Sequence, residues 1–314
     1  MMEIKRIENI KPEPADIVAV KIAGNVTEVR FSKTSAGSPI KKVDKDHGVD
    51  IRTGELVEFQ HNTSRASDKA SVAQSLKRLR DIINANLENP DCALWVTLTY
   101  AENMQDEKQL YADFHAFWKR FQRYQKREGQ TPAQYIAAAE PQGRGAWHLH
   151  ILLLFPDKAP FIPNAKMAQL WGHGFTKVKS LRSVDNPGLY LTMYMSNMEI
   201  TEAAQAGAMN ANIKEVDVIA EDGTRQKKSI VKGVRLGMYP PGFNIYRTSR
   251  GIKRPTVSSM TENEAQKLVG ETPLTYEKTI SLTDSTGEVK NIINYRTYTK
   301  GAKRPSGPGQ EADQ

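Results

Sequence analysis

Between Tyr135 and Phe155 the chain spells out a β-hairpin. Two runs, Tyr135–Glu140 and Trp147–Phe155, consist mainly of alanine, leucine and aromatic or β-branched residues, and Gly143-Arg144-Gly145 between them supplies turn geometry. Side chains alternate faces along a strand. In Trp147-His-Leu-His-Ile-Leu152, His148 and His150 therefore share one face while Leu149 and Ile151 share the other. Their Cα atoms are separated by two strand rises, about 7 Å, so both imidazoles can reach one divalent ion. The turn sets Glu140 opposite the pair. Two histidines and one carboxylate with open positions form a metal-binding set. The competing reading is a pair of ordinary hydrogen-bonded strand histidines beside an acid.

The elements around the hairpin give the fold class. Val72, Leu76, Leu79, Ile82, Ile83 and Leu87 recur every three or four residues, an amphipathic helix that stops before Asn89-Pro90. Leu94–Tyr100 has strand composition. A helix over about Asp106–Arg127 follows, with Leu110, Phe114, Phe117, Phe121 and Trp118 as its apolar stripe and five basic residues in its last two turns. Beyond the hairpin come a short helix at Asn164–Trp171, a strand at Phe175–Leu181 and a helix over Asn186–Met198. The order β-α-β-β-α-β-α predicts an α+β fold: a central, mostly antiparallel sheet of split β-α-β type flanked by helices. Additional β-rich segments lie toward both ends. Asp16–Phe31 reads as two strands around Gly24-Asn25, Ile51–Phe59 as a hairpin arm turning at Thr53-Gly54, and residues 34–48 as a loop. Thr261–Val269 reads as a helix, and Lys278–Thr283 with Val289–Tyr298 as a hairpin. The organisation expected is 1–68 β-rich and loop-rich, 69–200 catalytic core, 201–255 basic segment, 256–302 helix plus hairpin, and 303–314 a disordered tail.

Lysine and arginine number 44 against 36 acids, a net charge of +8. Between Gly223 and Arg254 there are nine basic residues and no acid, among them Arg225, Lys227, Lys228, Lys232, Arg235, Arg247 and Arg250. Tyr239, Phe243 and Tyr246 are interleaved. Cations neutralise phosphates and aromatic faces stack on unpaired bases, so the composition suits single-stranded nucleic acid; a solvated basic loop with structural tyrosines is the plainer alternative. The lone Cys92 excludes an intramolecular disulfide framework. No apolar run approaches the roughly 18 residues of a membrane span, and acids and prolines interrupt the first twenty residues. A cytoplasmic protein without a membrane partner is expected.

On the predicted helix 186–198, Tyr190 and Tyr194 lie one turn apart on the same face. By themselves they read equally as packed tyrosines. Taken in order, however, Val96-Thr-Leu-Thr-Tyr100, Glu140-Pro-Gln-Gly-Arg-Gly-Ala-Trp-His-Leu-His150 and Tyr190-Leu-Thr-Met-Tyr194 resemble the three motifs of HUH endonucleases, and more closely those of rolling-circle replication initiators (Rep proteins) of bacterial plasmids and mobile elements. Leu236–Arg247 extends the likeness toward Reps of Gram-positive bacteria. The resemblance implies that His148, His150 and Glu140 hold Mg²⁺ or Mn²⁺, that Tyr194 is the nicking nucleophile, and that Tyr190 is a second nucleophile or an assistant. It further implies single-stranded DNA at a replication origin as substrate, with a host helicase and polymerase as partners. Arg144 in the hairpin turn and the basic segment would contact the DNA. The chain departs from the lysine-flanked tyrosine of many relatives: Met193 and Asn197 stand at those positions, so an activating cation must come from elsewhere. A relaxase or transposase of the same superfamily, a non-catalytic nucleic-acid-binding module and a zinc hydrolase are the alternatives.

Overall fold

The structure, a computed structural model, describes residues 3–8, 10–34, 40–44, 46–51, 53–59, 69–181, 188, 191–192, 195, 197–199, 213–219, 225–231, 234–240 and 242–302. The chain forms two compact units, one from Asn62–Arg254 and the other from Met1–His61 together with Pro255–Gln314. The predicted segments 69–200 and 201–255 thus lie in one unit. The two flanks, read separately from sequence, build the other. Residues 303–314 lie outside the described residues.

The first unit is organised by a five-stranded sheet of β7 (Ala93–Thr99), β8 (Gln134–Pro141), β9 (Trp147–Leu154), β10 (Thr176–Ser180) and β14 (Tyr246–Thr248). Their order is β10-β7-β9-β8-β14 and every neighbouring pair is antiparallel. Strand β9 is inserted between β7 and β8, which α2 (Glu107–Arg127) connects, and this is the split β-α-β arrangement expected. The Asp106 side chain accepts from the Lys108 and Gln109 amides and so starts α2 one residue later than predicted. Its buried stripe includes Leu110, Phe114, Phe117 and Phe121. Phe114 and Trp118 meet the ring of Tyr135 edge-on, at 5.0 and 4.6 Å between centroids. Helix α2 therefore covers the face of the sheet that carries Tyr135, Ala137, Leu149 and Ile151. Each fully buried Leu, Ile or Phe of this core contributes about 1.5–3 kcal/mol of transfer free energy.

Helix α1 (Lys69–Asn86) adds Val72, Leu79, Ile82 and Ile83 to the same core. Helix α3 (Asn164–Trp171) ends at Gly172, whose φ of 78° is the left-handed cap that favours glycine. The Arg120 guanidinium donates to the freed Leu170 and Trp171 carbonyls at 2.7 and 2.9 Å. A small sheet of β11 (Met198–Glu199), β12 (Ile213–Ile219) and β13 (Arg225–Val231) has the order β11-β13-β12. The basic segment thus enters as a strand and continues into a 3₁₀ turn at Val234–Met238.

In the second unit, β1 (Glu3–Ile7), β2 (Ile17–Ala23), β3 (Val26–Ser32), β15 (Thr256–Thr261), β16 (Leu274–Thr283) and β17 (Val289–Thr299) form a sheet of order β1-β16-β17-β3-β2-β15. Helix α4 (Glu262–Val269) starts with a capping box between Thr261 and Glu264 and packs Ala265 and Val269 on Val18, Val20, Val29, Phe31 and Tyr298. Residues 34–48, expected as a loop, instead include β4 (Ile40–Lys42) and part of β5 (His47–Asp50), which pair with each other and with β6 (Leu56–Glu58). Backbone pairing holds these short polar strands, and their side chains carry no alternation to announce it.

A buried ion pair joins α4 to the sheet: Arg296 and Glu262, each 6% exposed, meet bidentately, with Nη2 to Oε2 at 2.6 Å. Burial alone would push the Glu262 carboxyl up, but Arg296 and Gln266 outweigh it and hold it below its ordinary 4.5. A depressed acid contributes stability that is present above its unfolded pKa and lost as pH falls through the folded one. Urea unfolding at decreasing pH should therefore show wild-type stability dropping below about pH 4.5 more steeply than that of Glu262→Gln, which lacks the titrating group. Parallel pH slopes in the two proteins would assign no such role to the pair.

Candidate metal centre

The site is built on the β8–β9 hairpin. Glu140 is the register partner of His148, and Ala138 that of His150. On the other side of β9, Thr99 faces His148 and Thr97 faces His150. Paired residues project to the same face, so Glu140, His148, His150, Thr97 and Thr99 gather on the side of the sheet opposite α2. The turn that sets this register closes with the Gln142 amide donating to the Ala146 carbonyl at 2.8 Å, and Gly145 adopts a φ of 87° that other residues rarely take. Ala138, small and 2% exposed, leaves space beside the His150 ring.

His150 is fixed on three sides. Its Nδ1 lies 3.2 Å from Thr97 Oγ1, its ring stacks on Trp95 at 5.1 Å with planes 9° apart, and its Nε2 hydrogen-bonds Glu140 Oε2. His148 differs: its buried Nε2 has no hydrogen-bond partner. One ligand atom from each of Glu140, His148 and His150 can be chosen so that all lie within 4.8 Å of one another. A buried nitrogen without a partner is costly unless something accepts its lone pair. Burial, partly opposed by Glu140, pushes His148 down to about 4, so that lone pair is available at neutral pH. Burial would also push the Glu140 carboxyl up, but His150, Arg235 and His148 hold it below the ordinary carboxylate range, and it stays ionised. Two imidazoles and one carboxylate, convergent and unprotonated, fit a divalent cation.

Arg235, grouped by sequence with the DNA-contacting residues, lies elsewhere. It is 6% exposed. Its Nη2 is 2.8 Å from Glu140 Oε1, Nη1 donates to the Pro141 carbonyl at 2.7 Å, and Nε donates to the Asn197 carbonyl at 2.8 Å. The guanidinium thus holds the free oxygen of Glu140 and ties the end of β8 to the chain just before β11. Tyr239 makes a second tie, its hydroxyl lying 3.1 Å from the Ala139 carbonyl and 3.2 Å from that of Met195. Tyr239 and Phe243, expected as base-stacking faces, are 2% and 4% exposed, and Phe243 stacks on Trp147 at 4.7 Å. They are core, not platforms.

The remaining predicted contacts are dispersed. Arg144 is exposed in the hairpin turn, with Nε 3.2 Å from Gln142 Oε1 and Nη2 3.3 Å from the Tyr100 carbonyl. Arg247 pairs with Ala137 in register and its guanidinium lies 3.5 Å from the centre of the Tyr111 ring, on the α2 side of the sheet and away from the metal set. Arg250 is exposed. Lys227, on β13, is also exposed, and its ammonium is 3.8 Å from Glu215. Lys228 is a residue of the same strand, β13. Lys232, Tyr190 and Tyr194 lie outside the described residues. Sequence reasoning did not find Arg235 as the partner of Glu140, because a buried arginine and a phosphate-binding one look alike in composition.

Residues 93–199 match the model of a Replication-associated protein family, that of the ORF2 type. The matched stretch runs from the first residue of β7 to the last of β11 and contains Glu140, His148 and His150, while Arg235 and the basic segment fall beyond it. No curated protein matches the chain. Among the described residues no helix is long and apolar enough to cross a membrane.

Proposed function

We propose that the chain is a rolling-circle replication initiator that cuts one DNA strand at an origin and remains attached to it. The observation that carries this reading is the convergence of Glu140, His148 and His150, with an unpartnered buried nitrogen on His148, inside the stretch that matches a replication-associated family. When bound there, Mg²⁺ or Mn²⁺ supplies Lewis-acid neutralisation and orientation of the scissile phosphate. Glu140, His148 and His150 hold it, and Arg235 keeps the carboxylate aimed. The Tyr194 hydroxyl, losing its proton, forms the new O–P bond as the P–O3′ bond breaks. The 5′ end is then a phosphotyrosine, and the departing oxygen takes a proton to become a 3′-OH that can prime synthesis. The phosphoester is conserved, so rejoining needs no nucleotide triphosphate. Met195 and Asn197, which follow Tyr194 in the chain, are held at Ala139–Pro141, and this supports the assignment. Exposed Arg144, Lys227 and Arg250 are the backbone contacts of this reading, which takes a host helicase and polymerase as its partners.

Incubation with a 5′-labelled single-stranded origin oligonucleotide and Mn²⁺, followed by a denaturing gel, tests it. Wild-type protein should give a DNA–protein adduct that survives SDS, and Tyr194→Phe should bind the oligonucleotide yet give none. An adduct that persists in Tyr194→Phe and disappears in Tyr190→Phe moves the nucleophile to Tyr190. Binding with no adduct in the wild type would make the chain a nucleic-acid-binding module instead.

A further inference from the structure

Strand β10 is the edge of the catalytic sheet, and one large apolar side chain stands exposed beside it: Phe175, at 76%. The antiparallel ladder continues past the end of the strand. The Thr99 amide donates to the Phe175 carbonyl, and the Ala101 amide to that of His173, both at 2.9 Å. Phe175 is therefore the register partner of Thr99, which pairs with His148, which pairs with Glu140. All four project from the same face. The Phe175 Cα lies two strand spacings, about 10 Å, from that of His148. Lys177, exposed, is the register partner of Thr97 and continues the same face along the edge, and Lys179 follows two residues on.

The backbone that carries the ring is held firmly. A Cβ on Gly174 would come within 2.5 Å of both the Thr99 carbonyl oxygen and the Ala101 nitrogen, so only glycine permits this approach to β7. Lysines on an edge strand are common guards against strand addition. An exposed phenylalanine beside them works against that purpose, which argues for a use of its own. A flat aromatic face next to cations, in line with a phosphate-cutting centre, has the chemistry of a nucleobase platform.

We propose that Phe175 stacks an unpaired base of the DNA strand being cut, close to the scissile phosphate, while Lys177 takes an adjacent phosphate. The assignment rests on the strand-cutting reading for the identity of its ligand. The test uses full-length protein in EDTA, a mixed-sequence single-stranded oligonucleotide, and fluorescence anisotropy. Phe175→Ala should bind about tenfold more weakly, the loss of one stacked base, and Phe175→Trp should bind at least as tightly as wild type. The same oligonucleotide carrying 5-iodouracil should photocross-link to the peptide that contains Phe175. Equal binding by the alanine and wild-type proteins, or equal weakening by alanine and tryptophan, overturns the platform. Cross-links confined to other peptides overturn it too. The two readings fail separately: normal adduct formation with unchanged Phe175→Ala binding sinks the platform alone. Absence of any adduct, with binding that still follows residue 175, sinks the cutting reaction alone.

Discussion

His148→Ala is expected to remove metal-dependent strand cleavage while leaving the fold almost untouched. The two effects separate because the Nε2 of His148 makes no hydrogen bond within the protein, so its deletion strands no partner. A Lewis acid on a transferring phosphoryl group supplies several kcal/mol of transition-state stabilisation, so the single-turnover cutting rate should fall roughly a thousandfold. Mn²⁺ titration should show the affinity loss directly, and the melting temperature should stay near that of wild type. His150→Ala should lose the same activity with a larger stability cost, since Trp95, Thr97 and Glu140 all lose a contact. Wild-type Mn²⁺ affinity and cutting in His148→Ala would remove the residue from the centre.

The contrast between these two histidines shows how far the sequence could be read. The centre was legible because it is local. One hairpin carries all three ligands, strand alternation assigns their face, and the glycines at 143 and 145 fix the register that sets Glu140 against His148. The β-α-β-β order was legible for the same reason, since periodicity and capping act within each element. Pairings over long separations left no such trace. The N-terminal β1 joins β16 near the other end of the chain, and the exposed polar residues of β1 give no alternation to signal it. Tyr239 and Phe243 were misread for a related reason: aromatic residues among cations have the composition of a stacking surface whether they face solvent or Trp147. Phe175 was placed on a strand, but its significance depends on which strand lies beside it.

Arg235 is the residue on which reading by composition and reading by geometry part most sharply, and its substitution should separate them. In Arg235→Ala, one oxygen of the buried Glu140 carboxylate and the carbonyls of Pro141 and Asn197 all lose their donor. Breaking a buried charge pair from one side costs about 3–5 kcal/mol, and denaturant titration should show a loss of that size. The metal affinity responds to two opposed effects. Removing a cation from beside the site relieves repulsion, but the carboxylate also loses the partner that aims it, and its pKa rises because burial is then less well opposed. Partners that orient a ligand are worth 10–100-fold in metal affinity, so the second effect should win and Mn²⁺ should bind more weakly by about that factor. Arg235→Lys keeps the charge but not the fork that serves three acceptors, so it should recover only part of both losses. Cutting measured against Mn²⁺ concentration then separates two roles. If Arg235 acts by positioning Glu140, saturating Mn²⁺ restores most of the rate in Arg235→Ala. If it contacts DNA, as its place in a basic segment suggests, the rate stays low at every Mn²⁺ concentration while stability and Mn²⁺ affinity are unchanged. Three bonds to protein acceptors and 6% exposure favour the first outcome.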